Sequence, residues 1–309
     1  MFKSIQSKFQ KKGKQEPQQD ARVEIPTVPN PSDVDLVDEQ PVEVKFRSEV
    51  PQFIVGSGQS VGRVRDHNED SILTLTMLTA NNGEYLPIGL FIVADGMGGH
   101  KLGEVASNLA IRTVSRQILH KVMLSMMDVE PSPPEEGLQE IVSESVLEAH
   151  HVITEKAPGS GTTFTAVLIV GKQMLIAHVG DSRAYAISLE GEAEILTRDH
   201  SLVKRMIELG HLTEEEATVH PQRNVLYRAL GQGDPFSPDV RSSLVPDSGY
   251  LLLCSDGLWG LVPQDEMVRV ILDAPSPEIA CQKLIDAANR AGGPDNISAI
   301  LVHLPPNFS

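Results

Sequence analysis

The sequence predicts an α+β fold in which long helices pack on antiparallel sheets. Short apolar runs flanked by Gly, Asp or Pro are typical of buried strands, and they occur at 90–94, 164–170, 174–179, 250–254 and 297–302. The runs at 164–170 and 174–179 and a further one at 183–188 follow one another without a helix between them, which indicates antiparallel pairing. Apolar residues recur at helical spacing over 103–127, 137–156, 264–273 and 277–290.

Residues 1–52 differ in composition from the rest of the chain. Five lysines fall within the first 14 residues, and five prolines among Asp and Glu follow them between positions 17 and 41. Such a segment cannot bury enough apolar surface to offset the entropy of ordering. We therefore predict a disordered N-terminal tail over 1–52 and one globular domain over 53–309. Phe2, Ile5 and Phe9 could line a short basic helix that contacts a partner or a membrane surface; a solvated tail is the simpler interpretation.

The charge and cysteine content exclude several classes of protein. The 309 residues carry a formal net charge of −16, and an acidic chain neutralises a nucleic-acid backbone poorly, so we expect no nucleic-acid partner. The two cysteines, Cys254 and Cys281, do not suggest a disulfide framework, which favours a reducing compartment. No apolar run approaches the roughly 20 residues of a membrane helix. These features predict a cytoplasmic protein without an integral membrane segment.

Acidic residues occur at the ends of predicted strands. Asp95 and Asp256 each follow an apolar run directly and precede a glycine, and Asp295 stands before the last strand. Glu69 and Asp70 come just before another apolar run. Each Asp-Gly or Asp-Asn step alone is usually a turn. If these carboxylates converge, their repulsion would call for a hard divalent cation such as Mg²⁺ or Mn²⁺, which prefers oxygen ligands.

A longer series of motifs runs in order along the chain. The motifs are Arg65-x-x-Asn-Glu-Asp70, Val93-Ala-Asp-Gly-Met-Gly-Gly-His100, Gly103-Glu104, Ser160-Gly-Thr-Thr163, Val179-Gly-Asp-Ser-Arg183, Asp199-His-Ser201, Asn224 through Gly231, Cys254-Ser-Asp-Gly-Leu258 and Gly292-Gly-x-Asp-Asn296. Together they resemble the protein phosphatase 2C family over about residues 56–303, and Asp-Gly-Met-Gly-Gly is the form that bacterial members carry. The resemblance implies a four-layer α-β-β-α sandwich of two antiparallel sheets flanked by helices, with 53–309 as the catalytic domain.

The resemblance also implies an activity. Family members are metal-dependent phosphatases that hydrolyse phosphoserine and phosphothreonine in proteins, so the implied partners are phosphorylated proteins, including bacterial Ser/Thr kinases or their substrates. Hydrolysis would be a single step in which two cations, Mn²⁺ or Mg²⁺, activate a water. The implied ligands of the two cations are Glu69, Asp70, Asp95, Gly96, Asp256 and Asp295. Asp95 would bridge both ions, Asp256 and Asp295 would hold one, and the Gly96 carbonyl with the acidic pair would serve the other.

Two further residues take roles by the same resemblance. Arg65 would bind the substrate phosphate through a charge-assisted contact, which makes it a catalytic residue beside Asp95. Asp181 corresponds to the ligand of a third cation that some members bind together with Asp256. The alternatives are that Arg65 is a surface arginine and that Asp181 forms a turn or pairs with Arg183.

One position departs from the eukaryotic pattern. Many eukaryotic relatives have a histidine directly after the Asp-Gly, proposed as the acid that protonates the leaving group. Met97 stands there in this chain and cannot donate a proton, so the acid is water, another residue such as His100, or absent. Residues 200–223 resemble the flap beside the active site of relatives, with a helix and a turn at Gly210-His211, and we expect this flap to gate access.

Two other classes of function remain open on sequence grounds. The chain could be a catalytically silent member that keeps the fold to bind kinases or phosphoproteins, although Asp95, Asp256 and Asp295 are all present. It could also be another metal-dependent phosphoesterase, such as a nuclease. The net charge of −16 weighs against a nuclease.

Overall fold

Two antiparallel sheets lie at the centre of the computed structural model, which describes residues 52–81, 84–98, 102–127 and 136–304. The first sheet has the order β1 (Ile54–Ser60), β11 (Ile297–Leu304), β10 (Gly249–Cys254), β7 (Arg183–Ile187) and β8 (Ala193–Ile195). The second has the order β2 (Asp70–Asn81), β3 (Glu84–Met97), β5 (Phe164–Val170), β6 (Gln173–Val179) and β9 (Asp239–Leu244), and the short β4 (Gly161–Thr162) pairs with β3. Neighbouring strands are antiparallel throughout both sheets, as the sequence predicts.

Helices cover the outer face of each sheet. The helices are α1 (Leu102–Ile118), α2 (Leu138–Lys156), α3 (Leu202–Glu208), α4 (Glu214–Thr218), α5 (Asp256–Trp259), α6 (Gln264–Leu272) and α7 (Pro277–Arg290). Alternate residues of each strand point to opposite faces, so each sheet divides its apolar residues between two cores. One core lies between the sheets, one under α1 and α2, and one under α5, α6 and α7. The result is the four-layer α-β-β-α sandwich that the resemblance implies.

The strands and helices differ from the sequence prediction in a few places. The predicted helix 103–127 is α-helical only to Ile118 and continues as a π-helical segment, Leu119–Leu124, and a 3₁₀ turn, Ser125–Met127. Five strands, β1, β2, β4, β8 and β9, were not predicted. In β1, β2 and β9, glycines, serines or threonines break the apolar pattern, and β4 and β8 have only two and three residues. Strand β9 lies at a sheet edge with most side chains partly or fully exposed, so it needs few apolar residues.

Some predictions fall on parts of the chain outside the described residues. The tail 1–52, of which only Gln52 is described, and His100 both lie there, so the predicted disorder, the basic helix and the acid role of His100 stay predictions. Within the described ranges, no helix has the length and apolar character needed to cross a membrane.

Candidate active site

The two sheets bring four aspartates to the same edge of the sandwich. In the second sheet, Asp70 begins β2 and is the direct partner of Asp95 near the end of β3. In the first sheet, Asp256 follows β10 and Asp295 precedes β11, its neighbour in the sheet. Each sheet therefore supplies a pair of carboxylates, because antiparallel neighbours place a strand end beside a strand start.

Asp70 lies where the two sheets meet. Its Oδ2 accepts hydrogen bonds from the hydroxyls of Ser255, at 2.9 Å, and Ser298, at 2.7 Å, both of which belong to the first sheet's strands or their ends. Its Oδ1 is buried and has no hydrogen-bond partner. Burial raises the pKa of Asp70 to about 7, and the charges of Asp256 and Asp295 add to this shift. A carboxylate oxygen buried without a donor needs a cation or a proton.

Asp95 lies among the other carboxylates. Its backbone N–H donates to the Thr163 hydroxyl at 2.9 Å, and its carbonyl accepts from the Thr163 N–H at 2.8 Å, so the backbone before Gly96 is fixed. Burial raises the pKa of Asp95 well above its ordinary value, with Asp70, Asp256 and Asp181 contributing in that order. The negative charges of three neighbouring carboxylates thus all oppose the ionisation of Asp95.

Asp256 and Asp181 extend the acidic cluster toward the first sheet. Burial raises the pKa of Asp256 to about 6, the charge of Asp295 raises it further, and a hydrogen bond with Asp95 opposes the shift. The Oδ1 of Asp256 is buried without a hydrogen-bond partner. Asp181 follows β6 in the loop to β7, and burial followed by the charge of Asp256 raises its pKa well above the ordinary value.

Arg65 lies on the exposed rim of this cluster. Its Nη2 donates to Oδ2 of Asp295 at 2.8 Å, and about half of the Arg65 side chain is exposed. The loop that carries Arg65 is fixed beneath by a bond from the Arg63 N–H to the Gly293 carbonyl at 2.6 Å. A guanidinium held at the edge of an acidic centre can bind an anionic group that approaches from solvent.

Glu69 and Gly96 lie beside the start of α1. The Glu69 carbonyl accepts from the Gly96 N–H at 3.2 Å and from the Ser107 hydroxyl at 2.6 Å. A Cβ built on Gly103 would lie 2.8 Å from Oε1 of Glu69, so the carboxylate packs directly on the helix backbone. Gly96 has no room either, because a Cβ there would lie 2.2 Å from the Gly103 carbonyl oxygen.

The close approach at Gly96 leads to a stability prediction. Gly96→Ala is expected to lower the free energy of unfolding by about 2 kcal/mol or more, because two backbone segments must separate to admit a methyl group. The measurement is urea denaturation of the cation-free protein. Gly137→Ala is the matched control, since a Cβ at Gly137 meets nothing within 4 Å. Equal unfolding midpoints for the two variants would contradict the prediction.

A cavity of about 420 Å³ adjoins the acidic cluster. It is lined by Asp181, Arg183, Asp199, Ser201, Val203, Lys204, Ile207, Glu214, Ala217, Arg223, Asn224, Asp256, Trp259 and Gly260. Helices α3 and α4, which form one wall, belong to the segment 200–223 that the sequence predicts as a flap, and the predicted turn at Gly210-His211 separates them. The cavity therefore opens from the carboxylates toward the flap.

The cluster suits cations that keep much of their water. Among the described residues, no group of three or more His, Cys, Asp or Glu side chains is placed so that it could hold a metal ion. Mg²⁺ usually takes one or two carboxylates and completes its shell with water. The unpartnered Oδ1 atoms of Asp70 and Asp256 and the raised pKa values of the buried aspartates fit such hydrated divalent cations.

Asn296 organises the site in a way that the sequence does not predict. The Asn296 side chain accepts from the Glu69 N–H at 2.8 Å and donates to the carbonyls of Val61, at 3.0 Å, and His67, at 2.9 Å. It thereby joins the loop before β11 to the loop that carries Arg65. The sequence analysis includes Asn296 in the motif Gly292-Gly-x-Asp-Asn296 but gives it no role of its own, because an Asp-Asn step in a glycine-rich loop is typical of a turn.

The fold and the site together define a metal-dependent phosphohydrolase: buried carboxylates suited to divalent cations lie beside an arginine suited to a phosphate. The sequence model of one family, described as Protein phosphatase 2C, matches residues 54–297. The chain belongs to the protein phosphatase 2C family and is a bacterial-type Ser/Thr protein phosphatase.

Two relatives support this membership over most of the chain. The Serine/threonine phosphatase stp of Listeria monocytogenes is 37% identical over 241 residues, which cover 78% of this chain and 92% of the relative. Protein phosphatase PhpP of Streptococcus pneumoniae is 32% identical over 246 residues, which cover 79% of this chain and 94% of the relative.

Solved structures share the fold. The Mycobacterium tuberculosis serine/threonine phosphatase PstP/Ppp superposes with a TM-score of 0.67 at 32% identity, covering 82% of this chain and 99% of the other. The catalytic domain of the serine/threonine protein phosphatase PstP in complex with two manganese ions has a TM-score of 0.65 at 30% identity, covering 82% and 98%. The family is metal-dependent, as the sequence resemblance implies.

Proposed function

We propose that this phosphatase hydrolyses phosphoserine and phosphothreonine in proteins at the carboxylate cluster around Asp95, with two divalent cations, Mn²⁺ or Mg²⁺, bound there. The observation that carries the proposal is the convergence of Asp70, which is buried, with Asp95 and Asp256, which are partly buried. All three have raised pKa values, and two of their oxygens have no hydrogen-bond partner. Such an arrangement is costly unless cations neutralise it. The two manganese ions in the PstP catalytic domain support the same stoichiometry.

The residues divide between the two cations as follows. Asp95 would serve both cations, Asp256 and Asp295 would hold one, and the Gly96 carbonyl with Glu69 and Asp70 would hold the other. When bound, the cations would lower the pKa of a water that attacks phosphorus, and they would offset charge on the phosphoryl oxygens. The two serine hydroxyls on Oδ2 of Asp70 leave only Oδ1 of that side chain free to face a cation or its water.

A third cation is proposed beside the first two. Asp181 and Asp256 lie close enough that the charge of Asp256 raises the pKa of Asp181, and both line the cavity under the flap. A further Mn²⁺ or Mg²⁺ held by this pair would relieve that repulsion. The flap helices α3 and α4 would then lie against a less negative cavity, which a phosphorylated chain can approach.

Arg65 binds the phosphate of the substrate. Its guanidinium donates to Asp295 at 2.8 Å, and about half of the Arg65 side chain is exposed, so a phosphate can reach it from solvent. Met97 follows Asp95-Gly96 and cannot donate a proton, so the leaving serine or threonine oxygen takes its proton from water or from another residue such as His100, if an acid acts there at all. The partners are phosphorylated proteins, and the activity opposes bacterial Ser/Thr kinases; relatives named as Ser/Thr phosphatases support this.

The test compares substrates and cations directly. Phosphoserine and phosphothreonine peptides are incubated with Mn²⁺ or Mg²⁺, and again with EDTA, and released phosphate is measured. We expect hydrolysis with either cation and none with EDTA. Single-stranded DNA and RNA serve as control substrates and should stay intact. No hydrolysis with any divalent cation would support a silent binding protein instead, and cleavage of nucleic acid would support a nuclease.

Arg65 provides a prediction about substrate binding. Arg65→Ala is expected to lower kcat/KM on a phosphopeptide by about 10- to 100-fold, because a charge-assisted hydrogen bond to phosphate is lost. Arg65→Lys should recover part of the loss, since a lysine keeps the charge without the planar fork. The neighbouring Arg63→Ala is the control and should change kcat/KM little. A similar loss in both alanine variants would contradict the role of Arg65.

A further inference from the structure

The Asp199-His200-Ser201 motif has no part in the chemistry proposed above, yet its histidine is buried beside a loop of the active site. His200 is only 1% exposed. The loop runs from β6 to β7 and carries Asp181. A polar ring buried at such a place needs hydrogen-bond partners, and the partners of His200 indicate what it does.

His200 is bonded to Gly180 in both directions. The backbone N–H of Gly180 donates to the ring Nδ1 of His200 at 3.1 Å, and the backbone N–H of His200 donates to the Gly180 carbonyl at 2.7 Å. Gly180 has a φ of +104°, and a Cβ there would lie 2.7 Å from the Thr163 side chain. Gly180, the residue before Asp181, thus has a backbone conformation that glycine favours, and His200 holds both its N–H and its carbonyl.

Asp239 determines which nitrogen of His200 carries the proton. Nε2 of His200 lies 3.1 Å from Oδ2 of Asp239, which can only accept, so Nε2 carries the hydrogen. A neutral imidazole has one N–H, and burial lowers the pKa of His200, so Nδ1 stays free to accept from Gly180. Arg228 donates to the other oxygen of Asp239 at 2.8 Å and holds the carboxylate in place.

The opposite side of the loop is held by Trp259. Its Nε1 donates to the Asp181 carbonyl at 3.0 Å. The guanidinium of Arg183 lies 3.5 Å from the centre of the Trp259 ring and makes two hydrogen bonds to Asp199, at 3.0 and 2.7 Å. The backbone at Gly180 and Asp181 is therefore held by His200 on one side and by Trp259 on the other.

We propose that His200 is a positioning residue for the Asp181 carboxylate, and that Asp239 acts with it by setting the His200 tautomer. The inference rests on the proposed function, because it takes Asp181 as a ligand of the third cation. Ligands must be held within about 0.5 Å of their binding geometry by supporting contacts. Loss of the Gly180 hydrogen bond is expected to weaken the cation at Asp181 about tenfold, with the two-cation centre unchanged.

The experiment is an equilibrium titration of the full chain with Mg²⁺, and with Mn²⁺, followed by calorimetry. Fluorescence of Trp259, the chain's only tryptophan, gives a second readout in the Mg²⁺ titration, because its indole contacts the Asp181 backbone. The binding phase that disappears in Asp181→Asn defines the third cation. If Asp181→Asn removes no phase, the third cation of the proposed function is overturned and the inference falls with it.

Two conservative variants then separate positioning from packing. His200→Asn keeps an acceptor at the Nδ1 position, so its third phase should stay near that of the unaltered protein. His200→Gln fills more volume but puts its amide at the Nε2 position, so its third phase should weaken about tenfold. A role in packing alone predicts the reverse order, and that result, or an unchanged third phase in His200→Gln, would overturn the inference.

The tautomer has its own readout. Nitrogen-15 NMR of the histidine rings should show His200 protonated at Nε2, and Asp239→Ala should raise the fraction protonated at Nδ1 while weakening the third binding phase. If Asp239→Ala shifts the tautomer but leaves binding of the third cation unchanged, the role assigned to Asp239 would be overturned.

Discussion

Replacing Asp95 with asparagine is expected to abolish phosphatase activity and, at the same time, to stabilise the cation-free protein. Asp95 is the proposed bridge between two cations, so its loss should remove several kcal/mol of transition-state stabilisation, or about a thousandfold in kcat. Without cations, however, its charge is opposed by burial and by Asp70, Asp256 and Asp181. Asparagine has nearly the same shape and no charge, so the repulsion disappears while the packing stays.

Two measurements on one variant test this. Phosphopeptide hydrolysis with saturating Mn²⁺ gives kcat, and thermal unfolding in EDTA gives the melting temperature, which should rise above that of the unaltered protein at about pH 8. Asp247→Asn is the control, since Asp247 is an exposed aspartate in the loop before β10. It should change neither quantity. An Asp95→Asn protein that melts earlier in EDTA would show that Asp95 does not experience the repulsion inferred here.

The strands that the sequence predicts well are the ones buried on both faces. Strand β5 runs over the residues predicted for it, and β6 begins one residue earlier than its apolar run, because a continuous apolar segment can be satisfied only inside the sandwich. Strand β9 gives no such signal, since most of its side chains are partly or fully exposed at an edge. Its place was decided by pairing with β6, which is a property of the tertiary structure.

The site shows the same division between local and distant effects. That Asp95 and Asp256 end strands is a local pattern, which the sequence reveals directly. Their convergence depends on how two sheets pack, and only the family resemblance implied it. The hydroxyl of Ser298 that holds Asp70 is 228 residues away in the chain, and no pattern of spacing indicates such a contact.

The second large effect is a reversal of the pH dependence of stability when cations bind. In the cation-free protein, the pKa values of Asp70, about 7, and Asp256, about 6, lie above that of an unfolded aspartate. A carboxyl with a raised pKa binds more protons when folded, so its contribution is present below about pH 4 and is lost as the pH rises through the folded value. For Asp70 alone this loss is at most about 4 kcal/mol.

His178 has the opposite dependence. It is 2% exposed, and burial lowers its pKa to about 4, below the ordinary value of about 6.5. The unfolded state therefore binds more protons between these values, and His178 makes the folded protein more stable as the pH rises from about 4 to about 6.5, by up to about 3 kcal/mol. Burial also lowers the pKa values of His150, His200 and His303, which act in the same direction. Without cations, Asp70, Asp95, Asp181 and Asp256 together should outweigh these histidines.

Urea denaturation at several values between about pH 5 and about pH 8 tests the reversal. In EDTA, the free energy of unfolding should fall as the pH rises. With saturating Mg²⁺ it should rise, because bound cations favour ionised carboxylates, and the stabilising effect of buried neutral histidines such as His178 at higher pH then remains. Asp70→Asn should flatten the fall in EDTA, since it removes one raised carboxyl. Stability that rises with pH in EDTA as steeply as it does with Mg²⁺ would mean that these aspartates ionise without mutual cost, and the electrostatic case for cations at Asp95 would fail with it.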